Sequence, residues 1–493
     1  MNAARRRCAA QEETDVGHES QFYIDGRWVD PVNPGRWISV INPATEEEAG
    51  RVASGSEADI DAAVAAAHRA FDSFSRTSRS DRLELLENLL AGYRRRLVEL
   101  AEVMTVEVGI PKTFSEGVQA KIGERHLQTA FNVLADYQFE EDWNTTRIIR
   151  EPVGVCGLIS PWNWPMNQII VKVGPALAAG CTMVLKPSQY SPLSSLLFAE
   201  AVHEAKIPAG VFNLVNGTGA QLGGYLAGHP LVDMISITGS TEVGAAVAKA
   251  AAPSIKRVSQ ELGGKSAYVV FEDVDLEKVI AGGVKACMRN SGQSCNAPTR
   301  MLVSMQVYEA AVEVAARTAS GLVVGDPTDQ NTFLGPVAGK KQYDTVINYI
   351  KTGIAEGARL LTGGPKLPDG LDRGYYVRPT VFADVNNSMR IAREEIFGPV
   401  LCMIPFKTEA DAIAIANDND FGLSGYVSSL DLERARRVAR AMRTGMVHLN
   451  GVSTDLHAPF GGYKKSGNGR EWGRFGMDEF VEVKAIMGYR TAP

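Results

Sequence analysis

The spacing of apolar and polar positions changes along the chain and predicts a different element in each part. The apolar run Phe22–Val29 contains the turn-forming pair Asp25-Gly26, which is typical of a β-hairpin. Apolar residues then recur at helical spacing through roughly Glu57–Ser73 and Ser80–Val108. The segment Gly109–Pro111 ends the second pattern, because glycine and proline both terminate helices. We therefore predict a hairpin followed by two long amphipathic helices.

From residue 153 to residue 261 short apolar runs alternate with helical stretches. The predicted strands are Val153–Ile159, Thr182–Lys186, Val211–Val215 and Met234–Thr238. One helix start is marked by Ser191 as the N-cap and Pro192 as the first helical residue. Strands that alternate with helices at this spacing pair in parallel, so the region predicts a parallel sheet covered by helices.

The alternation continues beyond Gly263, where a second α/β domain is predicted to begin. Ala267–Phe271 is typical of a strand, and Asp275–Asn290 of a helix capped by its first residue. Near the C-terminus, Phe480–Met487 alternates apolar and polar residues, which predicts a strand. That strand would be an exposed sheet edge unless a partner covers it.

Composition and charge narrow the class of protein. The chain has 493 residues, 45% hydrophobic and 22% charged, which is typical of a soluble globular protein of two or three domains. The net charge of −6 does not favour nucleic acid or an anionic membrane as a partner. Six dispersed cysteines and seven histidines without an HxxxH pair favour a reducing, cytoplasmic compartment and no metal site. Acidic residues follow Arg5–Arg7, so residues 1–19 are expected to form a mobile tail rather than an export signal.

The longest apolar run, Ile169–Leu185, does not have the character of a membrane span. Lys172, Pro175 and Gly180 interrupt it, and a span needs about 20 predominantly apolar residues. We interpret this run as a buried helix followed by a buried strand.

Cys295 is the first candidate for chemistry. It follows a helical pattern and is framed by small and polar residues from Asn290 to Arg300, which indicates an accessible loop. An accessible thiolate attacks carbonyl carbons well. From the residues alone, a buried free cysteine without a catalytic role is the commoner case and stays open.

Two further segments offer a base and an oxyanion donor. Glu261 ends a strand and precedes paired glycines, which leave space for water beside a carboxylate that could act as general base. A surface ion pair is the alternative. Asn163 lies in the stiff loop Pro161–Pro165, where a rigid amide could donate to an oxyanion; the alternative is an aromatic packing loop.

Glycine-rich turns offer candidate phosphate sites. Gly239–Gly244 follows a predicted strand and opens a helix, an arrangement that suits a pyrophosphate, although a simple tight turn has the same sequence. Gly217–Gly223 is a weaker match to the dinucleotide-binding pattern. Lys186–Ser188 adds a cation and a hydroxyl at the end of another strand, where open α/β sheets bind ligands.

Together these segments resemble the aldehyde dehydrogenase superfamily from about Phe22 to Tyr489. Many segments in the right order are far more specific than any one of them. They are PWNWP at Pro161, GPALAAG at Gly174, KPS at Lys186, TGSTEVG at Thr238, QELGGKS at Gln260, GQSC at Gly292, EEIFGPV at Glu394 and PFGGYKKSGNGRE at Pro459.

The resemblance implies an α/β protein with a Rossmann-like cofactor domain, a second α/β catalytic domain and a β-strand oligomerisation arm. The cofactor domain would comprise residues 20–130 and 151–262, and the catalytic domain residues 263–463. A hairpin within residues 131–150 and the C-terminal residues 478–493 would form the arm. A partner subunit would then cover the C-terminal strand, in a homodimer or homotetramer.

The resemblance also implies roles for individual residues. Cys295 would be the nucleophile, Glu261 the general base, and Asn163 would share the oxyanion hole with the Cys295 backbone N–H. Lys172 and Glu471 match a proton-relay path away from the base. The cofactor-binding positions would be Ser160, Trp162, Lys186, Ser188, Gln189, Gly219, Thr238, Gly239, Ser240, Leu262, Glu395 and Phe397.

The implied reaction is oxidation of an aldehyde to a carboxylic acid through a thiohemiacetal and a thioester on Cys295. NAD is the expected cofactor. Gln189 departs from the glutamate usual in NAD-preferring members, so NADP is expected to be less strongly excluded. The alternatives are a CoA-acylating semialdehyde dehydrogenase, a papain-like peptidase and a non-catalytic protein. No arginine stands out as a clamp for a second carboxylate, which favours a broad or hydrophobic aldehyde.

Overall fold

The computed structural model describes residues 17–490, so the expected mobile tail lies almost entirely outside the described residues. The predicted hairpin is confirmed, with Phe22–Ile24 paired antiparallel to Arg27–Val29. Asp25 and Gly26 have φ angles of 54° and 76°. Two successive left-handed residues are what a two-residue hairpin turn requires.

The two amphipathic helices predicted after the hairpin become three. The first is Glu57–Phe74, but the second is divided into Arg79–Arg95 and Leu97–Val108. Arg96 leaves the helical conformation, and its guanidinium lies 2.8 Å from Glu200 and 2.6 Å from Glu204. The prediction of one continuous helix was therefore wrong. The helix breaks at Arg96, whose side chain forms ion pairs with residues distant in sequence.

The remaining helical segments cover both sheets and connect their strands. Two of them, Ser115–Gln119 and Gly219–Gly223, are π-helical turns. The other segments are Lys112–Phe114, Ala120–Asp136, Pro165–Ala179, Pro192–Glu204, Gly224–Gly228, Thr241–Ala251, Ala252–Ser254, Leu276–Met288, Arg289–Gly292, Met305–Val307, Tyr308–Ser320, Lys340–Ala355, Arg390–Arg393, Glu409–Asn417, Leu432–Ala441 and Gly473–Asp478.

The first sheet has eight strands and a parallel centre, as the alternating pattern predicted. The hairpin and the late strand Gly467–Asn468 add antiparallel edges. The strand order is Arg27–Val29, Phe22–Ile24, Phe212–Leu214, Thr182–Lys186, Val155–Ile159, Met234–Thr238, Arg257–Glu261, Gly467–Asn468.

The second sheet has seven strands, and only its first pair is antiparallel. Its helix Leu276–Met288 is capped by Asp275, which accepts a hydrogen bond from the Lys278 N–H at 3.2 Å. The strand order is Arg359–Thr362, Thr380–Ala383, Val400–Phe406, Arg300–Ser304, Ala267–Val270, Ser424–Ser428, Met446–Leu449. The protein is thus an α/β fold with two largely parallel sheets.

A third sheet of three strands stands apart from both. The C-terminal strand Val481–Ile486 pairs with Thr146–Pro152, which pairs with Glu140–Trp143. The hairpin starts later than expected, because helix Ala120–Asp136 occupies the first residues assigned to it. Smaller two-stranded sheets join Trp37–Ile41 to Glu48–Ala53 and Phe421–Gly422 to Tyr463–Lys464.

Helix Pro192–Glu204 starts where the sequence predicted, but its cap differs. The Ser191 side chain makes no cap hydrogen bond. Instead the buried Glu107 carboxylate accepts from the Leu193 N–H at 2.9 Å and the Ser194 N–H at 3.2 Å. Burial raises the pKa of Glu107 to about 8. Within residues 17–490, no helix is long and apolar enough to cross a membrane.

Candidate active site

Residues with candidate chemistry lie together at one edge of the first sheet. Lys186, Thr238 and Glu261 are the last residues of their parallel strands, and Ser160 follows a fourth strand directly. Thr238 and Glu261 are paired neighbours in the register. Carboxyl ends of parallel strands form the ligand-binding edge of open α/β sheets. The structure therefore brings the predicted base and several predicted cofactor positions to one cleft.

The Cys295 loop begins with an unusual turn. Helix Leu276–Met288 stops earlier than predicted because Asn290, Ser291 and Gly292 have φ angles of 55°, 54° and 73°. Three successive left-handed residues reverse the chain, and such strain in non-glycine residues tends to occur at functional sites. Cys295 itself is half-buried, so it is neither an exposed loop thiol nor a fully packed core cysteine.

Close backbone packing sets the distance between this loop and its neighbours. A Cβ on Gly264 would lie 2.3 Å from the Cys295 carbonyl oxygen, and one on Gly292 would lie 2.1 Å from the Gly398 backbone. Only glycine permits such approaches. The glycines after Glu261 thus allow the nucleophile loop to approach the strand end that carries the base.

Asn163 is held against the nucleophile loop. Its side chain is 3% exposed, and its Nδ2 donates to the Gln293 carbonyl at 3.0 Å. The neighbouring Trp164 Nε1 donates to Ser294 Oγ at 2.8 Å. A carboxamide has two N–H groups, so the Asn163 amide has a second donor besides the one that bonds the Gln293 carbonyl.

The surroundings of Cys295 disfavour its thiolate when no ligand is bound. Burial, followed by the carboxylates of Glu395, Glu261 and Glu471, raises the pKa of this thiol far above its usual range. The preceding helix ends before the loop, and a helix C-terminus carries the negative end of the dipole. Helix electrostatics therefore do not activate this thiol, and positive charge or a base must be supplied at the site.

Glu261 is buried and poorly solvated. It is 2% exposed, and neither carboxylate oxygen finds a hydrogen-bond partner within residues 17–490. Burial first, and then the charge of Glu471, raises the pKa of Glu261 well above its ordinary value. A base whose pKa moves up towards the working pH is suited to general acid–base catalysis.

Lys172 and Glu471 form a buried ion pair next to this base. The Lys172 Nζ donates to Glu471 Oε1, to Thr238 Oγ1 at 2.8 Å and to Ser236 Oγ at 3.2 Å. The Lys172 charge lowers the pKa of Glu261, opposing the effect of Glu471. The pair contains groups that can accept or donate protons close to the base.

One part of the cleft has groups that could bind a sugar or phosphate. Lys186 is 3% exposed, its Nζ donates to the Pro187 carbonyl at 2.9 Å, and burial lowers its pKa to about 8. Ser160 Oγ is buried and has no partner within the described residues. Gly219 lies beside the Lys186 ammonium, and Ser188 accepts a hydrogen bond from the Tyr190 N–H at 3.2 Å. Gln189 follows, half-buried.

The glycine turn after Thr238 begins helix Thr241–Ala251 as predicted. Ser240 is the N-cap of this helix, and its Oγ accepts from the Val243 N–H at 3.3 Å. Gly239 donates its N–H to the Glu261 carbonyl at 3.1 Å, and Leu262 packs against Gly244 of the helix. The N-terminal turn of this helix therefore contacts the strand end that carries Glu261.

Glu395 and Phe397 approach from the second sheet. Glu395 Oε1 accepts from the Gly264 N–H at 2.9 Å, and burial raises the pKa of this carboxyl to about 7. Phe397 has a φ of 57°, and its ring lies edge-on to that of Trp162 with centroids 5.5 Å apart. Glu395 is close enough for its charge to act on the Cys295 thiol, and Phe397 packs against the loop that carries Asn163.

Several contacts of the nucleophile loop were missed by the sequence reasoning. Tyr426 donates its hydroxyl to the Asn296 carbonyl at 2.9 Å. Gln119 donates to the Asn163 carbonyl at 3.2 Å and to Asn290 Oδ1 at 3.4 Å. The left-handed turn could have been suspected from Asn290-Ser291-Gly292, whereas Gln119 and Tyr426 are far away in sequence and carried no signal.

One arginine near the site was also missed. The Arg289 guanidinium carbon lies 5.6 Å from the centroid of the Phe114 ring. That ring is edge-on to Trp164 at 5.5 Å between centroids, and Trp164 bonds Ser294 next to the nucleophile. An aromatic pair with a cation above it thus adjoins the Cys295 loop.

Comparisons with known proteins agree with this geometry. The aldehyde dehydrogenase family model matches residues 28–486. A 3-succinoylsemialdehyde-pyridine dehydrogenase from a Pseudomonas species is 55% identical over 478 residues, covering 95% of this chain and 98% of the relative.

Solved structures give the same result. Aldehyde dehydrogenase C from Pseudomonas syringae, a mutant complexed with NAD+ and octanal, is 51% identical with a TM-score of 0.95, covering 97% of this chain and 98% of that one. A Mycobacterium tuberculosis aldehyde dehydrogenase complexed with NAD+ is 39% identical with a TM-score of 0.93, covering 96% of this chain and 99% of that one. The chain therefore belongs to the aldehyde dehydrogenase family.

Proposed function

We propose that this protein oxidises an aldehyde to the carboxylic acid with NAD, using Cys295 as nucleophile, Asn163 as oxyanion donor and Glu261 as base. One observation carries the proposal. A half-buried thiol, an amide with a spare N–H and a buried carboxylate without partners in the described chain converge at one strand edge. This set matches what acyl chemistry on a cysteine requires.

The cleft residues fit a dinucleotide. Lys186 and Ser160 have buried polar atoms with capacity for ribose hydroxyls, and Ser240 begins a helix whose N–H groups suit a pyrophosphate. Glu395 is a ribose acceptor near Cys295, and Phe397 offers an apolar wall. The remaining residues proposed to bind the dinucleotide are Trp162, Ser188, Gly219, Thr238, Gly239 and Leu262. A bound nicotinamide dinucleotide supplies a hydride acceptor and positive charge.

The first half of the reaction takes place at sulfur. The Cys295 thiol passes its proton to water, and the sulfur pair attacks the aldehyde carbon while the carbonyl π pair moves to oxygen. Asn163 Nδ2 and the Cys295 backbone N–H stabilise that oxyanion. The oxygen then re-forms the carbonyl as the hydride departs with the C–H electron pair, which leaves a thioester on Cys295.

The second half is hydrolysis. Glu261 accepts a proton from water, whose oxygen attacks the thioester carbon, and the C–S bond breaks with its pair on sulfur. One aldehyde and one water thus become one carboxylate, one transferred hydride and two protons. Lys172 and Glu471 provide a path by which the proton on Glu261 leaves the buried site.

The presence of Glu261 favours hydrolysis over transfer to CoA. A CoA-acylating enzyme does not need a base at this position, whereas here a carboxylate is buried at the end of its strand. A papain-like peptidase is disfavoured because such enzymes have a tryptophan soon after the nucleophile, whereas Asn296, Ala297 and Pro298 follow Cys295. Retention of all three chemical groups argues against a non-catalytic role.

Gln189 leads us to propose NAD as the main cofactor with incomplete exclusion of NADP. A carboxylate at this position would repel a 2′-phosphate, and a neutral amide does not. The nearby Lys186 ammonium would also attract that phosphate, although burial lowers its pKa to about 8.

For the substrate we propose an aldehyde with an apolar or aromatic chain. The aromatic pair Phe114–Trp164 beside the nucleophile loop supports this. One relative was solved with octanal, and another is named for a semialdehyde that carries a pyridine. We also propose that the Arg289 guanidinium above Phe114 donates a hydrogen bond to a polar group at the far end of the substrate.

We further propose a cytoplasmic homodimer or homotetramer with the domain boundaries given above. The three-stranded arm has outward apolar residues, with Val483 64% exposed and Trp143 62% exposed. An exposed strand edge with such residues needs a partner to cover it. Five free cysteines among the described residues are consistent with a reducing compartment.

The test is NADH formation with a panel of aldehydes that differ in length, aromaticity and charge, in the wild type and in Cys295→Ala. We expect the substitution to abolish turnover while NAD binding persists, since the thiol forms the covalent bond and does not hold the dinucleotide. Dehydrogenase activity in the Cys295→Ala protein would overturn the proposal.

A further inference from the structure

A closed network of buried amides underlies the oxyanion donor and the nucleophile loop. Its members come from three separate segments, and the described side chains are at most 3% exposed: Gln119, Asn163, Asn290 and Gln293. Buried polar networks of this kind rigidify the groups they connect when their bonds are satisfied.

The hydrogen bonds determine which way each amide faces. Asn290 Nδ2 donates to the Asn163 carbonyl at 2.9 Å and to the Gln293 carbonyl at 3.2 Å. Because backbone carbonyls only accept, the NH2 group of Asn290 must face them, and its Oδ1 must face away. That Oδ1 accepts from Gln119 Nε2 at 3.4 Å, and the same nitrogen donates to the Asn163 carbonyl at 3.2 Å.

Gln119 therefore bonds both the loop that carries Asn163 and the turn that leads to Cys295. It ends the π-helical turn Ser115–Gln119, which is distant from both segments in sequence. Single π-helical turns occur frequently at functional sites. The Gln119 Oε1 has no hydrogen-bond partner within residues 17–490, so burying this oxygen costs desolvation free energy.

The turn held by Gln119 is intrinsically strained. Asn290 and Ser291 both adopt left-handed φ angles of 55° and 54°. Such residues persist only where the surrounding structure fixes them. The Gln293 side chain adds a second brace, since its Nε2 donates to the Asn290 carbonyl at 3.1 Å and its Oε1 accepts from the Ala338 N–H at 2.9 Å.

We propose that Gln119 is a positioning residue for the oxyanion hole of the reaction proposed above. It touches no reacting atom. By holding the Asn163 carbonyl and Asn290 together, it fixes the distance between the Asn163 amide and the Cys295 backbone N–H. An oxyanion stabilised by two donors depends on that distance, because hydrogen bonds weaken steeply outside their preferred length and angle.

The test compares Gln119→Met, which keeps the size of the side chain and removes the donor, with the matched control Gln128→Met. Gln128 is half-buried, and among the described residues its side chain bonds only Asn132 on its own helix. Direct oxyanion donors contribute about 10²–10³-fold, so a residue acting through them should contribute roughly 10- to 100-fold in kcat, with little change in KM.

A role in stability alone would not alter the chemical step. The decisive readouts are therefore the NADH burst of the first turnover and the isotope effect with aldehyde deuterated at C1. In Gln119→Met we expect the burst to shrink and the isotope effect on kcat to rise, because a less stable oxyanion slows hydride transfer. Gln128→Met should match the wild type in both.

Gln119→Glu provides a second variant with a pH signature. A carboxyl this deeply buried has its pKa raised, and its protonated form can still donate one hydrogen bond. The ratio of Gln119→Glu activity to wild-type activity should therefore be highest at low pH and fall as the carboxyl ionises. The same ratio for Gln119→Met should not show this fall.

The outcomes separate this role from the reaction itself. A folded Gln119→Met protein with the burst and isotope effect of the wild type would overturn the positioning role, as would a Gln119→Glu profile parallel to that of the wild type. A wild-type protein that oxidises no aldehyde would overturn both the role and the proposed function.

Discussion

Replacing Lys172 by methionine tests the buried ion pair most directly. Lys172 is 1% exposed, and its ammonium bonds Glu471, Thr238 and Ser236. Methionine fills the space of the lysine stem but leaves the Glu471 carboxylate, 5% exposed, without its cation. Breaking a buried pair from one side costs about 3–5 kcal/mol, chiefly because the remaining charge is uncompensated.

The assay is the thermal unfolding midpoint of the cofactor-free protein. For a domain of 150–250 residues, 1 kcal/mol shifts the midpoint by about 2–4 °C, so Lys172→Met should lower it by roughly 6–20 °C near pH 7.

The double variant Lys172→Met/Glu471→Gln is the internal control. With both charges removed, most of the loss should be recovered, since an apolar replacement of a whole buried pair is often neutral. The exposed pair Lys340–Asp344 gives the surface control, and Lys340→Met should leave the midpoint nearly unchanged. A double variant no more stable than Lys172→Met would refute the reasoning.

Two further outcomes are expected. Glu261→Gln should lower steady-state turnover by about 10²–10⁴-fold, because the amide cannot deprotonate water. The first-turnover NADH burst should persist, because the amide does not block hydride transfer. Loss of the burst would contradict the role of Glu261 as base. Because burial and three carboxylates raise the pKa of the Cys295 thiol, alkylation by iodoacetamide in the cofactor-free protein should be slow at pH 7 and accelerate continuously with rising pH; a rate that levels off below pH 8 would contradict it.

Local sequence patterns were sufficient for much of the fold. The Asp25-Gly26 hairpin, the parallel strands from Val155 to Glu261 and the Asp275 helix cap follow from residues close together in the chain. Each depends on short-range chemistry: left-handed turn residues, apolar spacing and a side chain that bonds a nearby N–H. The C-terminal strand was predicted for the same reason.

The errors lie where distant residues override local preference. Helicity alone does not predict the break at Arg96, whose guanidinium pairs with Glu200 and Glu204. The cap of helix Pro192–Glu204 comes from Glu107 rather than from the adjacent Ser191. Both depend on which helices pack together, information that a periodic pattern does not contain.

The candidate site divides in the same way. The sequence by itself determined which groups are candidates for the chemistry, since Cys295, Glu261 and Asn163 lie in segments whose order matches the family. Only the tertiary structure decided their electrostatic state. Burial and neighbouring carboxylates raise the pKa values of the Cys295 thiol and the Glu261 carboxyl, and Gln119 reaches Asn163 from a remote helix. Residue identity supplies the chemistry, whereas pKa and geometry depend on solvent exclusion and on neighbours brought together by folding.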